Sequence, residues 1–352
     1  MERIDAYGYS LVDPGKPLQR KDFSVDSVAG DDVVVAVAGC GLCHTDIGFY
    51  TGQVQTAQQP VILGHEISGR VVASGAAHEN LVGRSVIIPA VLPCGDCEMC
   101  NKGRSNVCQR QKMPGNHIEG GFASHIVVPG QHLCELPDDL GGYELAQLSV
   151  IADAVTTPYQ SLVRSGLEEG ELAIVIGVGG LGTYMVQLAK DRGAKVIAVD
   201  VDDKKLENAR SMGADHTFNA RDLTEKDIKK TVRGLVKEHG LPPTMWKVFE
   251  LSGTAAGQMT AFSLLSFAGT MAVVGFTMDK VTIRLSNAMA FDADIFGNWG
   301  CKPEYYPEVV EAVLAGRINV RDNVETRPLE SINDVMQLAL DHKLEKRVVF
   351  VP

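Results

Sequence analysis

The stretch Glu171-Leu172-Ala173-Ile174-Val175-Ile176-Gly177-Val178-Gly179-Gly180-Leu181-Gly182 decides the fold of much of this chain. Residues 171–176 read as a buried strand, because their apolar run is continuous and too short for a free-standing helix. The G-x-G-x-x-G that follows leads into an amphipathic stretch from Leu181 to Arg192. Glycines also serve ordinary tight turns, so the motif by itself says little. Between a strand and a helix it fits a turn that cradles a dinucleotide. Gly177 would permit the turn, Gly179 the close approach of a pyrophosphate, and Gly182 tight packing of helix on sheet. The helix N-terminus would offer unpaired N–H groups and a favourable dipole to the phosphates. Asp200 ends the next apolar run, Lys195 to Asp200, 18 residues after Gly182. A carboxylate there accepts hydrogen bonds from ribose hydroxyls and repels a 2′-phosphate, which favours NAD over NADP. The alternative is a solvated aspartate at a strand end.

Working outward, the alternation continues. A helix is expected from Lys204 to Met212, and strands at Trp246–Leu251 and Thr270–Gly275. Strands alternating with helices imply parallel βαβ units wound around one sheet. Before Asp153 the texture differs, with short β signals separated by glycine: Val33–Val37, Gly69–Ala73, Ser85–Ile88 and His125–Val128. After about Asn298 a helix near Pro307–Leu314 and a last strand at Arg347–Phe350 are expected to return to the first domain. The division is therefore a β-rich domain over 1–153, a dinucleotide-binding domain over 154–297, and a return over 298–352.

The bulk properties agree. A chain of 352 residues is too long for one ordinary core. Its 45% hydrophobic and 22% charged residues suit a globular protein, and a net charge of −11 argues against nucleic-acid or anionic-membrane partners. No apolar run approaches the roughly 18 residues of a membrane helix, and Met1 to Asp5 do not read as a secretory leader. The cytoplasm is the expected compartment.

Four of the eight cysteines, Cys94, Cys97, Cys100 and Cys108, fall into C-x2-C-x2-C-x7-C. Four thiolates fill the tetrahedral shell of zinc and leave no place for substrate, so this lobe, about 94–108, reads as a structural site; free thiols are the alternative. Cys43 and His65 are weaker signals, since lone cysteines and histidines are usually core residues.

Gly39-Cys40-Gly41-Leu42-Cys43-His44-Thr45-Asp46 and Gly64-His65-Glu66-Ile67-Ser68-Gly69, with the four-cysteine lobe and the glycine turn, resemble the zinc-containing medium-chain alcohol dehydrogenases. The resemblance covers nearly the whole chain. It implies an α/β protein with a GroES-like β-rich catalytic domain and a Rossmann domain with a doubly wound parallel sheet. It further implies NAD and two zinc ions per chain. Cys43 and His65 match catalytic zinc ligands, and Asp153, where relatives often have cysteine, matches the third; a helix cap is the other reading of Asp153. Glu66 matches the acid beside the metal, either as neighbour or as exchangeable ligand, and Asp46 the carboxylate that orients the histidine. Thr45 matches the hydroxyl that relays the substrate proton. Some relatives end this relay with a histidine where this chain has Gly48, which leaves the final base open. For the cofactor, the resemblance implies His44 and Arg347 near the pyrophosphate, Lys205 at the ribose, and Val274 to Phe276 beside the nicotinamide.

Within the family the chain is most similar to the 6-hydroxycyclohex-1-ene-1-carbonyl-CoA dehydrogenases of anaerobic benzoyl-CoA degradation. The stretches that carry this are Cys43–Tyr50, Met113–Asn116 and Gly120–His125. The implied substrate is a cyclic hydroxyacyl-CoA, oxidised at its secondary alcohol. Arg104, Arg110 and Lys112 are basic candidates for the coenzyme A end, with solvated charges as the plainer reading. A dehydrogenase of a simple alcohol, polyol or aldehyde adduct is the alternative enzyme. A non-catalytic NAD-binding or redox-sensing protein is the alternative of another class. A homodimer or homotetramer is expected, through a last sheet strand near Asp294–Asn298.

Overall fold

The structure, a computed structural model, describes residues 2–28 and 30–352. They form two compact units, one of residues 1–156, 300–316 and 320–352, the other of 157–299 and 317–319. Among the described residues no helix is long and apolar enough to cross a membrane.

The first unit is built on the strand Asp32–Gly41, whose valines Val33, Val34 and Val35 are wholly buried. It pairs antiparallel with Glu66–Ser74 and with His125–Pro129, and near its end with Arg347–Val351. The sheet runs Val324–Pro328, Arg347–Val351, Asp32–Gly41, Glu66–Ser74, Ser85–Ile88, Cys134–Glu135. The expected return of the tail is thus made by Arg347–Val351, and the expected helix spans Tyr306–Leu314. A separate three-stranded sheet orders Gln19–Val25, Ile4–Leu11 and Val61–Ile62. The reading above did not anticipate it. Phe122 and Phe350 meet edge to face at 5.2 Å in the core between these elements.

One register relation positions the chemistry. Gly41, the last residue of the long strand, pairs with Glu66, the first of its neighbour. Antiparallel strands paired this way put the residue two beyond Gly41 and the residue just before Glu66 at the same sheet end. Those residues are Cys43 and His65.

The second unit is a six-stranded parallel sheet ordered His216–Asn219, Lys195–Asp200, Leu172–Ile176, Lys247–Glu250, Thr270–Val273, Asp294–Gly297. Counted within the unit, this is the 3-2-1-4-5-6 order of a doubly wound sheet, whose strand ends diverge between the first and fourth strands. Leu172–Ile176 is buried throughout, as its unbroken apolar run requires. Helices cover the sheet, and Ile228, Val232 and Val236 of Glu225–Glu238 bury one face at four-residue spacing. Three of them are capped at their starts: Asp202 accepts from the backbone of Lys204 and Lys205, Thr224 from Asp227 and Thr254 from Gly257. Asp294–Gly297 is the sheet edge and is largely exposed.

Candidate active site

The four cysteines of the lobe converge. Cys94 and Cys108 Sγ are 3.4 Å apart, Cys97 and Cys100 3.5 Å, Cys97 and Cys108 3.6 Å, and Cys94 and Cys100 4.0 Å. A tetrahedron of sulfurs at about 2.3 Å from zinc has edges of roughly 3.8 Å, whereas a disulfide would need about 2.05 Å. Cys94 N and Arg110 N each donate to Cys108 Sγ at 3.3 Å. The Cys100 N–H draws the Cys97 thiol down to about 6, while burial pushes the Cys100 thiol up to about 12. Arg110 is paired with Asp96, and Arg104 is exposed.

The second cluster is mixed. Cys43 is the N-cap of the helix His44–Thr51. Asp46, in its first turn and wholly buried, turns back so that Oδ2 accepts the Cys43 N–H at 2.9 Å. Its Oδ1 accepts from Gly64 N at 3.1 Å and lies 3.3 Å from His65 Nδ1. That leaves His65 Nε2 facing the other way, 3.7 Å from Asp153 Oδ2, which is itself 3.7 Å from Cys43 Sγ. Donor atoms of Cys43, His65, Glu66 and Asp153 all lie within 4.8 Å of one another. Burial opposes a charge on His65, but Asp46, the Cys43 sulfur and Asp153 outweigh it and hold its pKa well above the usual value.

Glu66 is fully buried, and Arg347 Nη1 donates to its Oε1 at 2.5 Å and to Leu42 O at 3.2 Å. Its Oε2 is buried without a hydrogen-bond partner among the described residues, as suits an oxygen facing a cation. Burial lifts the Glu66 carboxyl to about 7 against the pull of Arg347. The Arg347 guanidinium is thus engaged with Glu66. His44 and Thr45 are exposed at the start of the helix, with Thr45 Oγ1 3.8 Å from Cys43 Sγ. A Cβ at Gly48 would meet Val54 at 3.7 Å, an ordinary van der Waals contact.

Asp153 follows the turn Leu145–Ala152 at its C-cap position, where a carboxylate, an acceptor, has no N–H groups to cap. Two groups that sequence reasoning passed over lie beside it. The Tyr306 hydroxyl donates to Ala152 O and accepts from Ala90 N. Cys301 is buried near Asp153; burial and the Asp153 charge keep its thiol well above the usual range. Neither carries a local motif, and only their place in the folded tail reveals them.

In the second unit, Gly177 sits at φ +84°, and a Cβ there would come within 2.5 Å of Ser252 Cα. A Cβ at Gly182 would lie 1.9 Å from Gly177 O. At Gly179 a Cβ would enter open space, which is the cradle a pyrophosphate needs. Asp200 is already occupied in part: Oδ2 accepts from Val178 N at 2.8 Å, and Oδ1 from Val201 N at 2.7 Å and Asp202 N at 3.1 Å. A carboxylate offers about four acceptor sites, so it braces the glycine turn and retains capacity for a hydroxyl. Lys205 is exposed in the first turn of the next helix. Val274 is half-buried and Phe276 is exposed beyond the strand Thr270–Val273. Donors and cradle together fit zinc in the first unit and a dinucleotide in the second.

Residues 29–138 match the alcohol dehydrogenase GroES-like domain, and residues 180–315 the zinc-binding dehydrogenase domain. An alcohol dehydrogenase of Geobacillus stearothermophilus is 32% identical over 339 residues, covering 95% of this chain and 96% of that protein. Sorbitol dehydrogenase of Bacillus subtilis is 28% identical over 335 residues, covering 93% and 92%. Among solved structures, the alcohol dehydrogenase of the archaeon Aeropyrum pernix superposes with a TM-score of 0.88 at 29% identity, covering 98% of this chain and 100% of that one.

Proposed function

Because the chain belongs to the zinc-type medium-chain alcohol dehydrogenase family, we propose that Cys43, His65 and Asp153 hold the zinc at which a secondary alcohol is oxidised to a ketone. The chain is an oxidoreductase acting on CH–OH groups, with zinc and NAD as cofactors. The observation that carries the assignment is the approach of three unlike donors, with both Cys43 Sγ and His65 Nε2 at 3.7 Å from Asp153 Oδ2. Three protein ligands leave a tetrahedral ion one position for substrate. Zinc bound there supplies Lewis-acid polarisation of a hydroxyl, and NAD supplies the hydride acceptor.

The chain's own groups do the rest. Thr45, exposed beside Cys43, receives the proton of the substrate hydroxyl and passes it to water. Asp46 fixes the ring of His65, and Arg347 balances the charge of Glu66. Gly177, Gly179 and Gly182 take the cofactor pyrophosphate. Asp200 and Lys205 take the ribose, and Val274 and Phe276 border the nicotinamide. Cys94, Cys97, Cys100 and Cys108 hold a second zinc that only supports the lobe.

For the substrate, the stretches Cys43–Tyr50, Met113–Asn116 and Gly120–His125 favour 6-hydroxycyclohex-1-ene-1-carbonyl-CoA. The likeness to sorbitol dehydrogenase favours a polyol as second reading. NADH formation is measured with the CoA ester, its free acid, simple cyclic alcohols and polyols. Turnover confined to the ester supports the first reading, and turnover of polyols alone replaces it with the second. No turnover with any alcohol, with both zincs bound, overturns the assignment.

The proposed assembly is a homodimer or homotetramer through the exposed edge strand Asp294–Gly297, near which Leu285 and Met289 are 68% and 77% exposed. A monomer by sedimentation overturns it. The proposed compartment is the cytoplasm, where eight reduced cysteines are at home.

A further inference from the structure

Glu250 ends the strand Lys247–Glu250 and is fully buried, yet no part of the reading above uses it. Its Oε1 accepts three hydrogen bonds: from Ser252 N at 2.8 Å, Ser252 Oγ at 2.5 Å and Gly253 N at 3.2 Å. Its backbone oxygen accepts two more, from Val274 N at 3.0 Å and Gly275 N at 2.9 Å. The carboxylate therefore braces the loop that follows its own strand, while its backbone oxygen, as any residue's would, holds the start of the loop after the neighbouring strand. The first loop also touches the glycine turn, because a Cβ at Gly177 would lie 2.5 Å from Ser252 Cα. The second loop runs tight against the first: a Cβ at Gly275 would lie 2.3 Å from Gly253 N and 2.9 Å from Glu250 Oε2.

Oε2 is buried without a hydrogen-bond partner among the described residues. Leaving a carboxylate oxygen in that state is unfavourable, and an apolar residue would fill the space more stably. Burial raises the Glu250 pKa against its three donors, which expresses the same cost. The arrangement makes sense if the loop 251–254 must be held in one geometry that packing alone does not enforce.

We infer that the Glu250 carboxylate is a positioning residue for the nicotinamide end of the cofactor, acting through the loop 251–254, against which residues 274–276 are packed, and touching neither substrate nor cofactor. The inference rests on the reading that Val274 and Phe276 border the nicotinamide.

The test compares dissociation constants of NADH and of ADP-ribose, which lacks the nicotinamide, on zinc-loaded wild type, Glu250→Ala and Glu250→Gln. Glu250→Ala weakens NADH about tenfold, the size expected for lost hydrogen bonds to a charged acceptor, and leaves ADP-ribose within about twofold. Glu250→Gln, which keeps an acceptor for Ser252 and Gly253, recovers most of the loss. Should Glu250→Ala fail to fold, Ser252→Ala removes one donor and is read in the same way, with about a threefold loss for NADH alone. Parallel weakening of both ligands, or no change in either, overturns the inference and leaves Glu250 a packing residue. Wild-type protein that binds NADH no more tightly than ADP-ribose would instead remove the premise about residues 274–276.

Discussion

The carboxylate of Asp46 stands 3.3 Å from Nδ1 of His65 while accepting the backbone N–H groups of Cys43 and Gly64. One buried side chain thus orients the imidazole of one proposed ligand and fixes the backbone of the other. Partners of this kind typically account for about 10–100-fold in metal affinity. Asp46→Asn is expected to weaken zinc at the mixed cluster by that factor and leave the four-cysteine zinc in place. Competition with a chromogenic chelator measures both populations, and unchanged affinity would refute the role.

Cys43→Ala should abolish turnover and lower zinc content from about two ions per chain to about one, since three-ligand sites hold zinc weakly once a thiolate is gone. Elemental analysis beside a circular dichroism spectrum reads both effects. Full activity in this variant would remove the mixed cluster from the reaction.

Asp153→Cys tests the choice of a carboxylate where relatives often have a thiolate. Sulfur donates more charge, so the metal becomes a weaker acid and the substrate hydroxyl ionises at higher pH. The acid-side limb of the kcat profile should move up by on the order of one pH unit, with zinc retained. A shift downward would contradict the argument.

Asp200→Ala removes the charge that would repel a 2′-phosphate and the acceptor that holds Val178 N. The value of kcat/KM with NAD should fall at least about tenfold, and the ratio of NADP to NAD efficiency should rise. A matched loss with both cofactors would assign Asp200 to the turn alone.

Cys100→Ser should release the zinc of the lobe, lower the melting temperature and open the chain to proteolysis between Cys94 and Cys108, because the metal replaces a core in so short a segment. Limited proteolysis with and without added zinc checks it. Equal resistance would mean that the lobe folds without metal.

Some features were legible because their determinants are local. The strand at Leu172–Ile176, the turn from Gly177 to Gly182 and the helix beyond it lie within one short span, and both glycine close approaches occur where the motif puts them. The same holds for the cysteine lobe, whose sulfurs must meet if the segment closes at all. The three-stranded sheet of Gln19–Val25, Ile4–Leu11 and Val61–Ile62 was not legible. Its strands carry mixed polar and apolar residues, and one of them is two residues long.

The sequence by itself determined the parallel βαβ unit, the four-thiol lobe and the candidates Cys43, His65 and Asp153 as residue types suited to zinc. Only the tertiary structure decided that these three meet, with Asp153 brought to Cys43 across 110 residues of chain. It alone decided that Arg347 neutralises Glu66 across 281 residues, that Tyr306 holds the turn before Asp153, and that Gly275 runs against the loop braced by Glu250. The reason is physical: hydrophobic periodicity and turn chemistry act over a few residues, whereas a buried charge is placed by whichever distant group the packed sheets bring against it.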